Sequence, residues 1–233
     1  MAETKEVLEE KKIKVKEREP LFSKKNKKLI SDPLDENNPI TIQVLGICSA
    51  LAVTVQMKAA VVMSVAVLFV LILANVSISL IRNLIPNRIR IIVQLVVVAA
   101  LVIVVDQVLK AYLFDVSKEL SVFVGLIITN CIIMGRLEAF ALGNKPWPSA
   151  LDAIGNSLGY GMVLVIVSFF KELFGSGKLF GFEIFGNTTE QTGLYAMGYM
   201  DNGLMLLPPS SLILVAVYIW IQKIRNPSLI ESH

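Results

Sequence analysis

Two cysteines, Cys48 and Cys131, are the residues of this 233-residue sequence best suited to metal chemistry. Each lies inside an apolar stretch, where we do not expect a structural disulfide. A single cysteine in a membrane helix is usually a small packing residue, but a pair can supply the soft thiolate ligands that favour iron-sulfur centres. Such a centre takes four protein ligands, so two cysteines form half a site. A second protein chain is then needed to complete it, whether the centre is a single iron or a [2Fe-2S] cluster.

Other redox cofactors lack the residues that they need. The only histidine, His233, is the last residue, so there is no pair of haem ligands. No glycine-rich dinucleotide loop follows a strand, and residues 175–177 are interpreted as a turn. We therefore expect no dinucleotide such as NADH to bind to this chain, and nothing in the sequence indicates a nucleic-acid partner.

Two acidic residues within or beside apolar segments, Asp106 and Asp152, are candidates for an ion pathway, because charges in a bilayer are costly. Lys110 follows Asp106 by four residues, so a helical ion pair at an interface is an equally good interpretation. Asp152 lies near the predicted start of its segment, where an acid can act as a helix cap. Arg136 and Glu138 are interpreted as a surface charge pair that ends the preceding segment.

The composition predicts an all-α integral membrane protein around these residues. Hydrophobic residues make up 55% of the chain and charged residues 18%, outside the usual range of soluble domains. Residues 1–39 hold 10 of the 22 Lys and Arg and 9 of the 19 Asp and Glu. This region lacks the apolar core that a cleaved signal peptide has. We expect a charged cytoplasmic tail over residues 1–39, a membrane domain over residues 40–222 and a short cytoplasmic tail over residues 223–233.

Six apolar segments are candidates to cross the roughly 30 Å of bilayer hydrocarbon. They cover residues 40–57, 59–81, 89–114, 120–135, 150–170 and 203–222. The first and the fourth, which carry the cysteines, are short.

The distribution of positive charge predicts the orientation of these segments. On one side of the membrane the tails and loops gather 17 Lys and Arg, and on the other side 5. The five are Lys58, Lys110, Lys118, Lys171 and Lys178. Because positive loops stay cytoplasmic, both termini are predicted to be cytoplasmic, although without the N-terminal tail the split is only 7 to 5.

The order of the segments predicts two inverted repeats. Placing residues 44–48 on residues 127–131 aligns the cysteines, and each half then runs as a short cysteine-bearing segment, a longer segment and a third segment. Three crossings per half make the second half enter from the opposite face. Inverted repeats place sites near the membrane midplane on short or broken helices.

Several runs of residues closely resemble the NqrDE/RnfAE family of membrane proteins. They are residues 37–39, 45–53, 79–83, 104–112, 120–136, 155–161 and 172–181. The resemblance extends from about residue 33 to the C-terminus, and it is closest to the D subunits of the Na+-translocating NADH:quinone oxidoreductases.

The resemblance implies a six-subunit complex of the bacterial inner membrane that passes electrons from NADH to ubiquinone and exports sodium. It implies an inverted partner, the E subunit, which completes an iron centre at Cys48 and Cys131. That centre would relay electrons between the F and C subunits, while NAD, FAD and FMN bind only to other chains among the A, B, C and F subunits. The sequence departs from the family pattern in two places. One is the charged tail that precedes Asp32, and the other is Leu137. The function of the tail is therefore left open.

Two alternatives remain at this point. One is the E subunit of an Rnf-type complex that moves electrons between ferredoxin and NAD, although residues 106–112 and 175–181 favour the quinone reductase. The other is a small secondary transporter with inverted repeats and no metal, in which the cysteines only pack.

Overall fold

The computed structural model describes residues 24–34, 37–86, 88–112, 125–176, 178–179, 182–183 and 203–225. Most of the predicted N-terminal tail and the C-terminal tail from residue 226 lie outside these residues. In chain order the helices are α1 (Lys24–Ser31), α2 (Ile47–Val53), α3 (Met57–Ile81), α4 (Arg90–Tyr112), α5 (Cys131–Arg136), α6 (Pro146–Ser176), α7 (Gly203–Leu206) and α8 (Pro208–Arg225). The described strands are only two residues each, Lys178–Leu179 and Phe182–Glu183, paired antiparallel.

Three of the described helices are long and apolar enough to cross a membrane. They cover Met57–Ile81, Arg90–Val108 and Pro146–Gly175, within α3, α4 and α6, and correspond to the second, third and fifth predicted segments. At about 1.5 Å per residue, the 31 residues of α6 extend over about 46 Å. The helix is therefore longer than the predicted segment 150–170, because it continues through polar residues at both ends.

The first and fourth predicted segments are short or interrupted. α2 has seven residues, and it is preceded by an irregular stretch rather than by the predicted helix start at Ile40. In the fourth segment a helical turn at residues 125–128 stops, α5 begins at Cys131, and a π-helix (Leu137–Ala141) continues it. π-helical turns are rare and often occur near functional sites.

Asn38 explains why the first helix does not begin at Ile40, where its predicted segment starts. Its side-chain oxygen accepts hydrogen bonds from the backbone N–H groups of Ile40, at 3.0 Å, and Thr41, at 3.4 Å. Its amide nitrogen donates to the carbonyl of Gly159 at 3.2 Å. A local turn held by an asparagine side chain competes with helix formation. Asn38, Ile40 and Thr41 are buried, so this irregular backbone is shielded by protein, as it must be at membrane depth.

Residues before the predicted boundary at residue 39 pack on a long helix, while the boundary itself stays a prediction. α1 and the following 3-10 turn (Asp32–Leu34) pack on α6. The contact is backbone to backbone, because a Cβ at Gly155 would lie 2.6 Å from the carbonyl oxygen of Leu29. At Gly159 a Cβ would lie 2.3 Å from the carbonyl oxygen of Pro33. The packed structure therefore begins before residue 39.

Replacing Gly159 with alanine is expected to destabilise the full-length chain by about 1–3 kcal/mol, because the added methyl group overlaps backbone that has little room to move. The free energy of unfolding in mixed detergent micelles measures this loss. Gly125→Ala is the matched control, since no atom of the described residues lies within 4 Å of the methyl group it adds. Equal stability of the two variants would contradict the close approach of residue 33 to α6.

The core of the described structure lies between α3 and α6, which form its most extensive helix pair. Its side chains are mainly small and β-branched aliphatics, which allow the two helices to pack closely. They include Ala60, Met63, Val67, Val70, Leu71, Ala74 and Ile78 from α3 and Ala153, Val163, Leu164 and Val167 from α6. α4 is less buried and presents apolar side chains outward, as expected for a surface that meets lipid or another protein chain.

Candidate metal centre

The two cysteines lie side by side. Cys48 is in the first turn of α2 and Cys131 is the first residue of α5, and their sulfur atoms are 3.8 Å apart. Both thiols are free and exposed at the surface of the chain. The fold therefore brings together the sulfur atoms of two cysteines that are 83 residues apart in the sequence.

Each cysteine follows a break in the helical backbone. Gly46 adopts a left-handed conformation with φ of 82°, which glycine tolerates better than other residues. Asn130 is extended, and its side-chain oxygen accepts a hydrogen bond from the N–H of Ile132 at 3.3 Å, capping α5. First-turn N–H groups have no partner within their own helix, so both breaks leave donors close to the sulfur atoms.

The sulfur separation matches that of two ligands on one metal ion. Two thiolates bound about 2.3 Å from a tetrahedral metal lie about 3.8 Å apart. Among the described residues, no cluster of three or more His, Cys, Asp or Glu side chains could hold a metal. The donor set therefore fits half of a thiolate site, open on its exposed side to further ligands.

The depth of the pair is set by α6. Tyr160, which contacts both cysteine-bearing breaks, is the fifteenth of the 31 residues of α6, about 21 Å and 24 Å from its two ends. The cysteines are thus near the centre of a helix long enough to cross a membrane.

Tyr160 was not identified from the sequence, where it is one aromatic residue in an apolar run. It is completely buried, and its hydroxyl lies 2.6 Å from the hydroxyl of Ser49 and 3.4 Å from the amide nitrogen of Asn130. Its ring packs against Gly46, where an added Cβ would be 3.0 Å from the ring. The sequence offered one signal, a tyrosine between Gly159 and Gly161 in a membrane segment. The hydroxyl of a buried tyrosine needs a hydrogen-bond partner.

Asp152 forms a buried ion pair and does not cap a helix. It is the seventh residue of α6, and both of its carboxylate oxygens accept hydrogen bonds from the guanidinium of Arg136. Asn156 also donates to Asp152, at 3.1 Å. The capping interpretation is therefore wrong, while a role of Asp152 in an ion pathway stays a prediction.

Arg136 and Glu138 do not pair with each other, contrary to the prediction from the sequence. Arg136 binds Asp152 and lies 5.5 Å from the centre of the Phe140 ring. Glu138 instead binds Arg90 of α4 at 2.6 Å and accepts a hydrogen bond from Gln94 at 3.0 Å. Residues two apart on a helix point in different directions, which favours these separate partners.

Asp106 forms the helical pair that its spacing predicted. Lys110 donates to its carboxylate at 2.5 Å, and the lysine side chain is about half exposed. The interpretation as an i,i+4 ion pair is confirmed, and an ion-pathway role of Asp106 stays a prediction.

Lys171 is not the loop charge that the orientation count assumed. It lies within α6, is completely buried, and donates to the hydroxyl of Ser211 at 2.8 Å. The next residue, Glu172, accepts a hydrogen bond at 2.6 Å from the N–H of Met57, the first residue of α3. Lys171 thus connects α6 to α8, and Glu172 connects α6 to α3. Because Lys171 lies inside a helix, the loops on the side predicted to be non-cytoplasmic carry one fewer positive charge.

Comparison with known proteins is consistent with this geometry. A family model described as "Rnf-Nqr subunit, membrane protein" matches residues 26–219. The D subunit of the Na(+)-translocating NADH-quinone reductase of Photobacterium profundum is 54% identical over 210 residues, which cover 90% of this chain and 98% of that protein. The family resemblance noted in the sequence is confirmed.

Proposed function

Since this chain belongs to the Rnf-Nqr family of membrane proteins, we propose that it is an electron-relay subunit of a Na+-translocating NADH:quinone oxidoreductase. In this proposal Cys48 and Cys131 hold half of an iron-sulfur centre inside the bilayer. The observation that carries the proposal is the 3.8 Å separation of the two sulfur atoms, which suits two ligands of one metal ion. When bound, the centre supplies one-electron chemistry, and the residues of this chain hold it at mid-membrane depth.

A partner chain completes the site in this proposal. Both thiols are exposed although they lie beside the buried Tyr160, so the ligand pair faces outward from the packed helices. A surface of this kind suits an inverted relative, the E subunit, which would bring two more cysteines and exclude water. The centre would be a [2Fe-2S] cluster or a single iron, and NAD, FAD and FMN would bind to other chains among the A, B, C and F subunits. On this view the chain has no complete active site of its own.

We also propose how the chain lies in the membrane. The three long helices together with the short or interrupted first, fourth and sixth segments would give six crossings in two inverted halves, in the bacterial inner membrane with both termini cytoplasmic. In support, each cysteine-bearing helix is followed by a long one, α3 after α2 and α6 after α5.

The two alternatives are less well supported. The relative that is 54% identical is named as a component of the quinone reductase, which favours that complex over an Rnf-type one. In a secondary transporter without metal, the cysteines would need only to pack, and nothing would require their sulfur atoms to adjoin at an exposed surface.

Analysis of the purified complex tests the proposal. We expect iron and, for a cluster, acid-labile sulfide beyond the content of the other chains, together with an EPR signal in the reduced complex. Cys48→Ala and Cys131→Ala should each remove that signal and the matching iron, because each leaves a single thiolate from this chain. Ser168→Ala, a buried change on α6 whose hydroxyl bonds only within its own helix in the described structure, is the control. Unchanged iron and EPR spectra in both cysteine variants would refute the metal site.

A further inference from the structure

Tyr160 connects the two cysteine-bearing breaks through a single hydroxyl group. Ser49 follows Cys48 directly, and Asn130 precedes Cys131 directly. The hydroxyl of Tyr160 lies within hydrogen-bonding distance of both side chains, 2.6 Å from the first and 3.4 Å from the second. The residue that holds the breaks together therefore belongs to a third element, α6.

One direction of hydrogen bonding satisfies all the groups around Tyr160. When Ser49 donates its proton to the carbonyl of Gly46 at 2.8 Å, it accepts from Tyr160. Tyr160 in turn accepts from the amide nitrogen of Asn130, whose oxygen accepts from the N–H of Ile132. Each hydroxyl proton is used once, so the network is complete without water. It runs from the start of α5 to the break before α2.

We propose that Tyr160 is a positioning residue that fixes the separation and orientation of the Cys48 and Cys131 sulfur atoms for the metal centre. The inference rests on the proposed function, and it assigns the geometry of the site to α6. Its ring supports the left-handed turn at Gly46, and its hydroxyl ties that turn to the cap of α5. A residue that does not touch the metal would thus control the ligands.

Simple packing predicts a different outcome from positioning. If Tyr160 only fills space, phenylalanine should replace it without consequence for the thiols, because the ring remains and only the hydroxyl is lost. If it positions the cysteines, Tyr160→Phe separates the two breaks and alters the ligand pair. Ser49→Ala removes the same link from the other side, so it should act in the same direction, and the double variant should be no worse than either single variant.

The first measurement needs no iron. Cd2+ binding to the full-length chain, purified in detergent and stripped with a chelator, reports on the paired thiolates through sulfur-to-metal absorption. We expect Tyr160→Phe, which removes the hydroxyl that joins the two breaks, to weaken Cd2+ binding about fivefold, an effect of the size that one ordinary hydrogen bond contributes. Ser168→Ala should leave binding unchanged, and Cys48→Ala should abolish it.

The second measurement uses the assembled complex. The EPR g values and the midpoint potential of the centre should shift in Tyr160→Phe and not in Ser168→Ala, since ligand geometry and hydrogen bonds to sulfur tune such centres. Unchanged Cd2+ affinity in both Tyr160→Phe and Ser49→Ala would overturn the positioning role. If the wild-type complex contains no iron at this site, the proposed function fails, but the Cd2+ experiment still decides whether Tyr160 sets the thiol geometry.

Discussion

Replacing either Cys48 or Cys131 with alanine is expected to lower NADH-driven quinone reduction by the assembled complex more than about 100-fold. Even residues that only support metal ligands typically contribute 10–100-fold, and each substitution removes one of the two proposed ligands. In the proposed site the two sulfur atoms lie 3.8 Å apart, and either variant keeps only one of them as a ligand. Quinone reduction by purified complex with NADH as donor measures the loss.

Two controls separate a broken relay from a broken complex. NADH oxidation with a soluble artificial acceptor should continue at its normal rate, because electrons then leave before they reach this chain. The set of proteins that purify together is the second control, because the exposed thiols lie on the surface where the E subunit is proposed to bind. A loss of quinone reduction reports on the relay only in a variant that retains the full set of subunits. Normal quinone reduction in either variant would show that electrons do not pass through the pair.

Replacing Asp152 with leucine is expected to destabilise the chain by about 3–5 kcal/mol, because it leaves the charge of Arg136 buried without its partner. The side chain of Arg136 is 13% exposed and that of Asp152 is 3% exposed, so water can compensate little. Arg136→Met should cost a similar amount. The double variant should lie within about 1 kcal/mol of the original chain, because apolar replacements often substitute well for a buried pair. Free energies of unfolding in mixed micelles give all three values.

The same set of variants tests the ion-pathway hypothesis for Asp152. Its carboxylate is already neutralised by Arg136 through two hydrogen bonds, so we expect the double variant to retain sodium transport. Sodium uptake into vesicles that contain the assembled complex measures this. Loss of sodium transport in a stable double variant would place Asp152 on the sodium route. In the stability measurements, a double variant whose loss of unfolding free energy equals the sum of the two single losses would contradict the buried ion pair.

Hydropathy predicted the long helices well, because crossing a bilayer imposes a length and an apolar composition that can be counted. α3 begins within two residues of its predicted start and ends at the predicted residue, Ile81. α6 exceeds its prediction because a helix can extend past the hydrocarbon into polar surroundings. The start of the first helix was misplaced by seven residues, since the Asn38 side chain captures the N–H groups that a helix start would leave free.

The candidate site was only partly predictable. Residue type identified Cys48 and Cys131, and the lengths of the first and fourth segments predicted that their helices are short or broken. Tyr160 could not be assigned, because its partners are 111 and 30 residues away and no local pattern encodes such contacts. The partner of Arg136 was missed for a different reason, since proximity in sequence was taken for proximity in space. Helix geometry disfavours a pair two residues apart.

The short α2 also has a consequence for the order in which this protein is made. Its seven residues rise only about 10 Å, too little to cross a bilayer as an independent helix. The stretch that leads into α2 is held by a hydrogen bond from Asn38 to the carbonyl of Gly159, and Ser49 of α2 bonds to Tyr160. Both partners lie more than 100 residues later in the chain. The contacts that hold the first cysteine in place can therefore form only after α6 has been synthesised, so folding of the amino-terminal part is completed late rather than in sequence order.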